Sequence, residues 1–341
     1  MTRYEIFTDA GCGLFAARLD DVYNKVKDYL AAERREQRVL VYAKVFLSDI
    51  ANQEETLRQS SLLTEFISHA AYTVVQQPPV GGAKIGVLLK TADEPDNFML
   101  NSLRLTDEEA SGYGSYEQTT MLFNKYLTRL KTERLNLKDH CIRTWIYVRD
   151  IDANYSGVVK ARNDIFRQHG LTADTHFIAS TGIGGRTAGR NVSVAIDFLS
   201  VPDIRPEEIL YLKAPHYLNP THEYGVAFER GVRITLPQKY QYFISGTASI
   251  NHRGEVVHIG DVTKQTARLL ENIGALLADG GAAMSDVKYF IIYLRDSADA
   301  AAVESYMAGH CPSVPRIITH AEVCRPSWLV EMECIAERNK S

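Results

Sequence analysis

Apolar and polar positions alternate along the chain in a phrase that returns three times. Leu122, Phe123, Tyr126, Leu127 and Leu130 carry the three-and-four spacing of a helix lying on a sheet, after Gln118-Thr119. Leu269, Leu270, Ile273, Leu276 and Leu277 repeat it after Gln265-Thr266. Each stripe leads into a run of β-formers with nearly the same ending, Ile146-Tyr147-Val148-Arg149-Asp150 and Ile292-Tyr293-Leu294-Arg295-Asp296. A second helix is predicted after each, over 155–168 and 298–309, followed by closing strands over 192–201 and 328–336.

The first copy is more worn. Leu19, Val22, Tyr23, Val26, Tyr29 and Leu30 form its stripe, and residues 39–49 take the place of the strand. Leu57, Leu62, Leu63, Phe66 and Ile67 stand where the second helix belongs, and residues 84–92 where the closing strand belongs. Units of this size are too long for a solenoid and suit small α+β folds, with helices covering one face of a mixed sheet. The expected division is 1–92, 93–205 and 206–341. Polar, Pro- and Gly-bearing connections fall at 93–115 and 200–219, the second with a short helix at 206–211.

Composition narrows the function. The 341 residues are 45% hydrophobic and 23% charged, as in a folded soluble protein, and the net charge is −4. That charge gives no general attraction to nucleic acid or an anionic membrane, so an anionic ligand needs locally placed Arg and Tyr. No basic leader precedes an apolar core in the first fifteen residues, and no apolar run is long enough to span a bilayer, so neither signal peptide nor membrane span is expected. The five scattered cysteines suit a reducing cytoplasm, and none forms a CxxC pair that could hold zinc. His216 with His222, and His252 with His258, lack the context of a metal site. Gly182-Ile183-Gly184-Gly185-Arg186 lacks the following helix of a dinucleotide loop.

From Tyr242 to Ala336 the chain resembles the RidA (YjgF) family, in YFISGTASINHRGEVV, QTARLLENIGALLADGG, FIIYLRD and AEVCRPSWLVEMECIA. As a whole it resembles the chorismatases, through CIRTWIYVRDIDANYSGVVKARNDIF, THFIASTGIGGR, YLKAPHYLNPTHEYGVAFERG and ISGTASINHRGEVVHIGD. The resemblance implies three RidA/YjgF-like (chorismate mutase-like) units in one chain. They would form a pseudo-trimer that acts as a monomer, and cleave chorismate to pyruvate and a hydroxybenzoate without metal or organic cofactor. It also implies 3-hydroxybenzoate as the favoured product, with 4-hydroxybenzoate or a dihydroxycyclohexadienoate as further outcomes. Two other readings stand beside it: a RidA-like imine deaminase and a non-catalytic carboxylate-binding module. The arginine that grips the substrate in RidA proteins falls near Ile318 here, against the deaminase.

Cleaving an enol ether requires a proton on its methylene carbon, and a carboxylic acid in an apolar pocket can supply it. Glu331 in WLVEM has such neighbours, and the resemblance makes it the general acid. Alternation puts Glu331 and Glu333 on one strand face, which is either a solvated face or a site. Arg230 and Arg143, with Tyr217 and Tyr224, are the candidates to hold two carboxylates. Arginine's planar fork suits that task, although surface ion pairing or plain packing would also account for these residues. Gly246, Thr247 and Ala248 end a strand where a ligand can approach the backbone or a β-bulge can form. Cys324 reads as a small buried hydrophobe; the resemblance makes it a mark of hydroxybenzoate-forming members, whereas Ala248 stands where those members often have glycine.

Overall fold

The computed structural model describes residues 1–340, except for the side chain of Tyr224. The first unit runs β1 (Thr2–Thr8), α1 (Phe15–Arg35), β2 (Val39–Leu47), α2 (Ile50–Arg58), β3 (Ala71–Gln76) and β4 (Ile85–Ala92). The second runs β5 (Met99–Leu103), single-turn α3 (Asp107–Ala110), α4 (Ser115–Thr132), single-turn α5 (Leu137–His140), β6 (Cys141–Val148), α6 (Ile151–Gln168), β7 (Ala179–Gly184) and β8 (Val194–Ser200). The third runs β9 (Ile209–Tyr211), β10 (Gly231–Thr235), β11 (Lys239–Ala248), α7 (Val262–Asp279), β12 (Val287–Leu294), α8 (Ala300–His310), β13 (Arg316–His320) and β14 (Val330–Asn339).

The sheets have one topology three times over. Their strand orders are β1-β4-β2-β3, β5-β8-β6-β7 and β11-β14-β12-β13, the last extended at one edge by β10 and β9. In each, the strand after the long helix pairs parallel with the next and antiparallel with the closing strand. This α+β pseudo-trimer turns its sheets toward a shared axis. Side chains cross there: Arg143 of β6 to Glu333 of β14, Thr73 of β3 to Asp197 of β8, and the Tyr4 ring of β1 against Tyr289 of β12.

The recurring Gln-Thr words now have a physical cause. Gln265 is fully buried; its Nε2 donates to the Ser327 carbonyl, and its Oε1 accepts from the Leu329 amide, just before β14. Gln118 likewise accepts from the Ser193 amide, just before β8. Thr119 and Thr266 bond back to carbonyls one turn earlier. The glutamine thus ties each helix to the entry of its closing strand, satisfying backbone groups that burial would leave unpaired. The recurring Asp marks the strand-to-helix corner: Asp150 takes a left-handed φ of 49° before α6, and Asp296 caps a 3₁₀ turn by accepting from the Ala298 amide.

Three local expectations shift. The first unit's second helix is Ile50–Arg58, ahead of the apolar cluster expected to carry it; Leu62–Phe66 is a single π turn leading into a 3₁₀ turn. Leu57, Leu62, Leu63 and Ile67 are buried all the same, so that spacing reports the core rather than a continuous helix. The helix expected over 206–211 is one 3₁₀ turn, Pro206–Glu208, followed by strand β9. The helices α4 and α7 begin about one turn before their Gln-Thr words, at Ser115 and Val262. Among the described residues no helix is long and apolar enough to cross a membrane.

Candidate active site

Glu331 and Glu333 lie on the inward face of β14 and are almost completely buried, which removes the solvated-face alternative. The closing strand of each unit offers the same inward positions. Register puts Glu331 opposite Tyr293, Ala195 opposite Tyr147, and Gly86 opposite Phe46. One layer along, Glu333, Asp197 and Leu88 correspond. Of the three seams between units, only that between the second and third therefore carries an acid at the Glu331 position. At the seam between the third and first, Ile317 packs so close to Gly86 that a Cβ there would meet its Cδ1 at 2.6 Å.

Around Glu331 the second and third units enclose a cavity of about 60 Å³. Its walls are Tyr155 and Arg162 from α6, Ser180 and Gly182 from β7, Phe228 and Arg230 from the approach to β10, and Gly246 and Ala248 from β11. Cys324, Arg325 and Trp328 complete it from the turn before β14. An outer pocket of about 500 Å³ adjoins it, and Tyr155, Val226, Cys324 and Arg325 line both. The segment before β10 is sewn to the second unit by the Glu229 amide, which donates to the Ile178 carbonyl, and by Asn163, which donates to the Gly225 carbonyl.

The β11–β14 register breaks between Ile244 and Thr247, so Gly246 sits in a bulge against the acid. A Cβ on Gly246 would stand 2.0 Å from Glu331 Oε1, and that carboxyl has room only because residue 246 lacks a side chain. Gly246→Ala should therefore displace Glu331 and cut turnover by at least ~10-fold with little loss of fold, since misplacing a catalytic group by about 1 Å costs up to ~10²-fold. Activity assays beside a thermal melt check this; full activity would mean that the acid has slack.

Burial pushes the Glu331 carboxyl up to about 8, with the neighbouring Glu333 carboxylate adding to the effect and Arg143 and Arg230 opposing it. The site thus holds a neutral acid at neutral pH beside three guanidinium groups, Arg162, Arg230 and Arg325. Burial and the nearby Glu331 raise the Cys324 thiol to about 12, which keeps it protonated at neutral pH.

Residues 229–338 match the family model described as Endoribonuclease L-PSP. A 3-aminoacrylate deaminase, RutC, from Acinetobacter baylyi is 31% identical over 96 residues, spanning 28% of this chain and 76% of that protein. The chain belongs to the endoribonuclease L-PSP family. Its whole fold is similar to that of a solved chorismatase crystal structure, with a TM-score of 0.68, 18% identity and 98% of both chains covered. At that identity the likeness is one of fold.

In this L-PSP family member, Glu331, Cys324, Arg230, Gly246 and Ala248 meet in one cavity, as their selection from sequence anticipates. Arg143 does not line it. Its guanidinium is 1% exposed and donates to Glu333 Oε2 at 2.7 Å, to Ser245 Oγ at 3.0 Å and to Thr181 Oγ1. It holds a neighbour of the acid instead of a substrate carboxylate. Thr247 turns the other way from Gly246 and Ala248, and its hydroxyl donates to the Ser245 carbonyl. Tyr217 is 39% exposed and packs under Arg268, outside the cavity. The Tyr224 side chain lies outside the described residues; its backbone ends the 3₁₀ turn Thr221–Tyr224.

Sequence reasoning missed Arg162, Tyr155, Arg325 and Trp328. For Arg162 a signal existed: it interrupts the apolar stripe of α6 between Val158 and Ile165, and a buried arginine on a helix face needs a cause. Arg325 and Trp328 reach the cavity from a turn, where periodicity carries no information.

Proposed function

We propose that this protein cleaves chorismate to pyruvate and a hydroxybenzoate, with Glu331 as general acid. The observation that carries the reading is a buried carboxyl, pushed up to about 8 by its burial, facing a cavity lined by three arginines, a setting for a dianion that must receive one proton. The fold likeness to a chorismatase over the full chain length agrees with it.

Glu331 would deliver its proton to the enol methylene carbon, leaving an oxocarbenium-like ether carbon. Capture by the ring hydroxyl is followed by cleavage of the original ether bond, so that its oxygen stays on the ring. Cleavage of the ring carbon–oxygen bond of the captured hydroxyl, so that this oxygen leaves as the pyruvate carbonyl, and loss of the ring proton beside the retained oxygen then give pyruvate and 3-hydroxybenzoate with no net water consumed. Capture by water gives pyruvate and the dihydroxycyclohexadienoate, consuming one. Arg230, Arg162 and Arg325 would receive the two carboxylates through charge-assisted hydrogen bonds. The cavity is smaller than the substrate, so binding would displace Val226 and Arg325 toward the outer pocket. The three units already cover one another's inward sheet faces, consistent with action as a monomer, and the free cysteines suit a reducing cytoplasm.

Incubation with chorismate should release one pyruvate per chorismate, with 3-hydroxybenzoate as the main aromatic product by chromatography. Cys324→Ala should alter the ratio of products more than the total pyruvate. The RidA-like deaminase is a second reading, favoured by the RutC relative; it requires ammonia release from an imine. Ammonia from imines with no pyruvate from chorismate would replace our proposal with it.

A further inference from the structure

Below the Glu333 layer the three sheets leave a second cavity, of about 390 Å³, at the end of the axis away from Glu331. All three units build it. Tyr4, Tyr42 and Lys90 come from the first, Phe98, Leu100, Trp145 and Leu199 from the second, and Gln241, Phe243, Tyr289 and Ile335 from the third. Six of these side chains are aromatic, and the volume is that of a small-molecule pocket rather than a packing defect.

Its charges are already matched. Lys90 Nζ donates to Asp96 at 2.9 Å; Lys239 Nζ donates to Asp96 at 3.2 Å and to Glu337 at 3.1 Å; Glu337 also accepts from the Tyr4 hydroxyl at 2.8 Å. Lys90 and Asp96 in the cavity wall are thus paired with each other, and Asp96 also with Lys239 beyond the lining, so a charged ligand would have to break an ion pair to find its own. One polar atom stands apart. Gln241 is 2% exposed, and its Oε1 has no hydrogen-bond partner among the described residues. An acceptor left buried and unmet is costly unless something supplies a donor.

We propose that this axial cavity is a second small-molecule site, which takes an uncharged, planar aromatic molecule bearing a hydrogen-bond donor. The ring stacks among Tyr42, Phe98, Phe243 and Tyr289, and the donor meets Gln241 Oε1. A dianion such as the substrate proposed for the Glu331 cavity has no place in it. The roof is Trp145, whose Nε1 donates to Glu333 Oε1 at 2.9 Å, so a ligand here touches a side chain bonded to the acid's neighbour.

Benzamide, neutral and carrying an amide donor, is the probe, with toluene as the same ring lacking the donor. The chain has two tryptophans, Trp145 over this cavity and Trp328 in the other, so Trp328→Phe leaves one reporter. Benzamide should bind saturably by calorimetry and change Trp145 emission in Trp328→Phe, without competition from chorismate. Leu100→Phe, which pushes a larger ring into the space the ligand would occupy, should weaken binding at least ~10-fold, the scale of overpacking a site. Gln241→Leu should weaken benzamide about fivefold, the scale of one neutral hydrogen bond, and leave toluene no worse. Absent saturation, an unchanged affinity in folded Leu100→Phe, or displacement by chorismate would each overturn the proposal. The emission change needs neither cavity variant, so misfolding of one leaves the test standing.

Discussion

Glu331→Gln should fold normally, bind chorismate, and release pyruvate at least ~10²-fold more slowly, the usual scale of general acid catalysis. The amide keeps the shape of the carboxyl but carries no proton of suitable acidity. Wild-type turnover should also fall as pH rises through about 8, because the protonated acid is the active form. Glu333→Gln should move that limb to lower pH, since it removes the neighbouring carboxylate and leaves Arg143 unopposed. Stability should follow the same group. A carboxyl raised above its ordinary value near 4.5 supports folding fully below that pH and loses its contribution as pH climbs through about 8. Thermal melts of Glu331→Gln and wild type should therefore draw apart between about pH 4.5 and pH 8, the wild type losing stability relative to the variant, and keep a constant difference above it. A flat rate profile from pH 6 to 9 would take Glu331 out of the chemistry.

Arg143→Met should destabilise the protein by about 3–5 kcal/mol, the usual result of removing one member of a buried ion pair. The pair joins β6 of the second unit to β14 of the third, and Glu333 also accepts from Trp145, Tyr293 and Thr181. Without Arg143 the carboxylate would stay buried with only neutral donors. The double variant Arg143→Met, Glu333→Met should recover much of the loss, because two apolar groups of similar volume remove the stranded charge. Urea unfolding of the three variants measures this coupling. If Arg143→Met alone matched wild type, the pair would contribute nothing to joining the units.

The sequence by itself determined the units and most of their elements. A helix with one face on a sheet must repeat apolar residues at 3.6 spacing, and the buried Gln-Thr and corner Asp must recur wherever the same junction is built. Alternation put Glu331 and Glu333 on one strand face and left a solvated face or a site open; the family resemblance singled out Glu331. The tertiary structure alone decided which of three similar seams carries a buried acid, since only register aligns Ala195 and Gly86 with Glu331. It also reassigned Arg143 from substrate to Glu333, and brought in Arg162, Arg325 and Trp328. Distances between residues far apart in the chain have no periodic signature. They arise from how three sheets pack around one axis, and that packing also sets the burial that raises the Glu331 carboxyl.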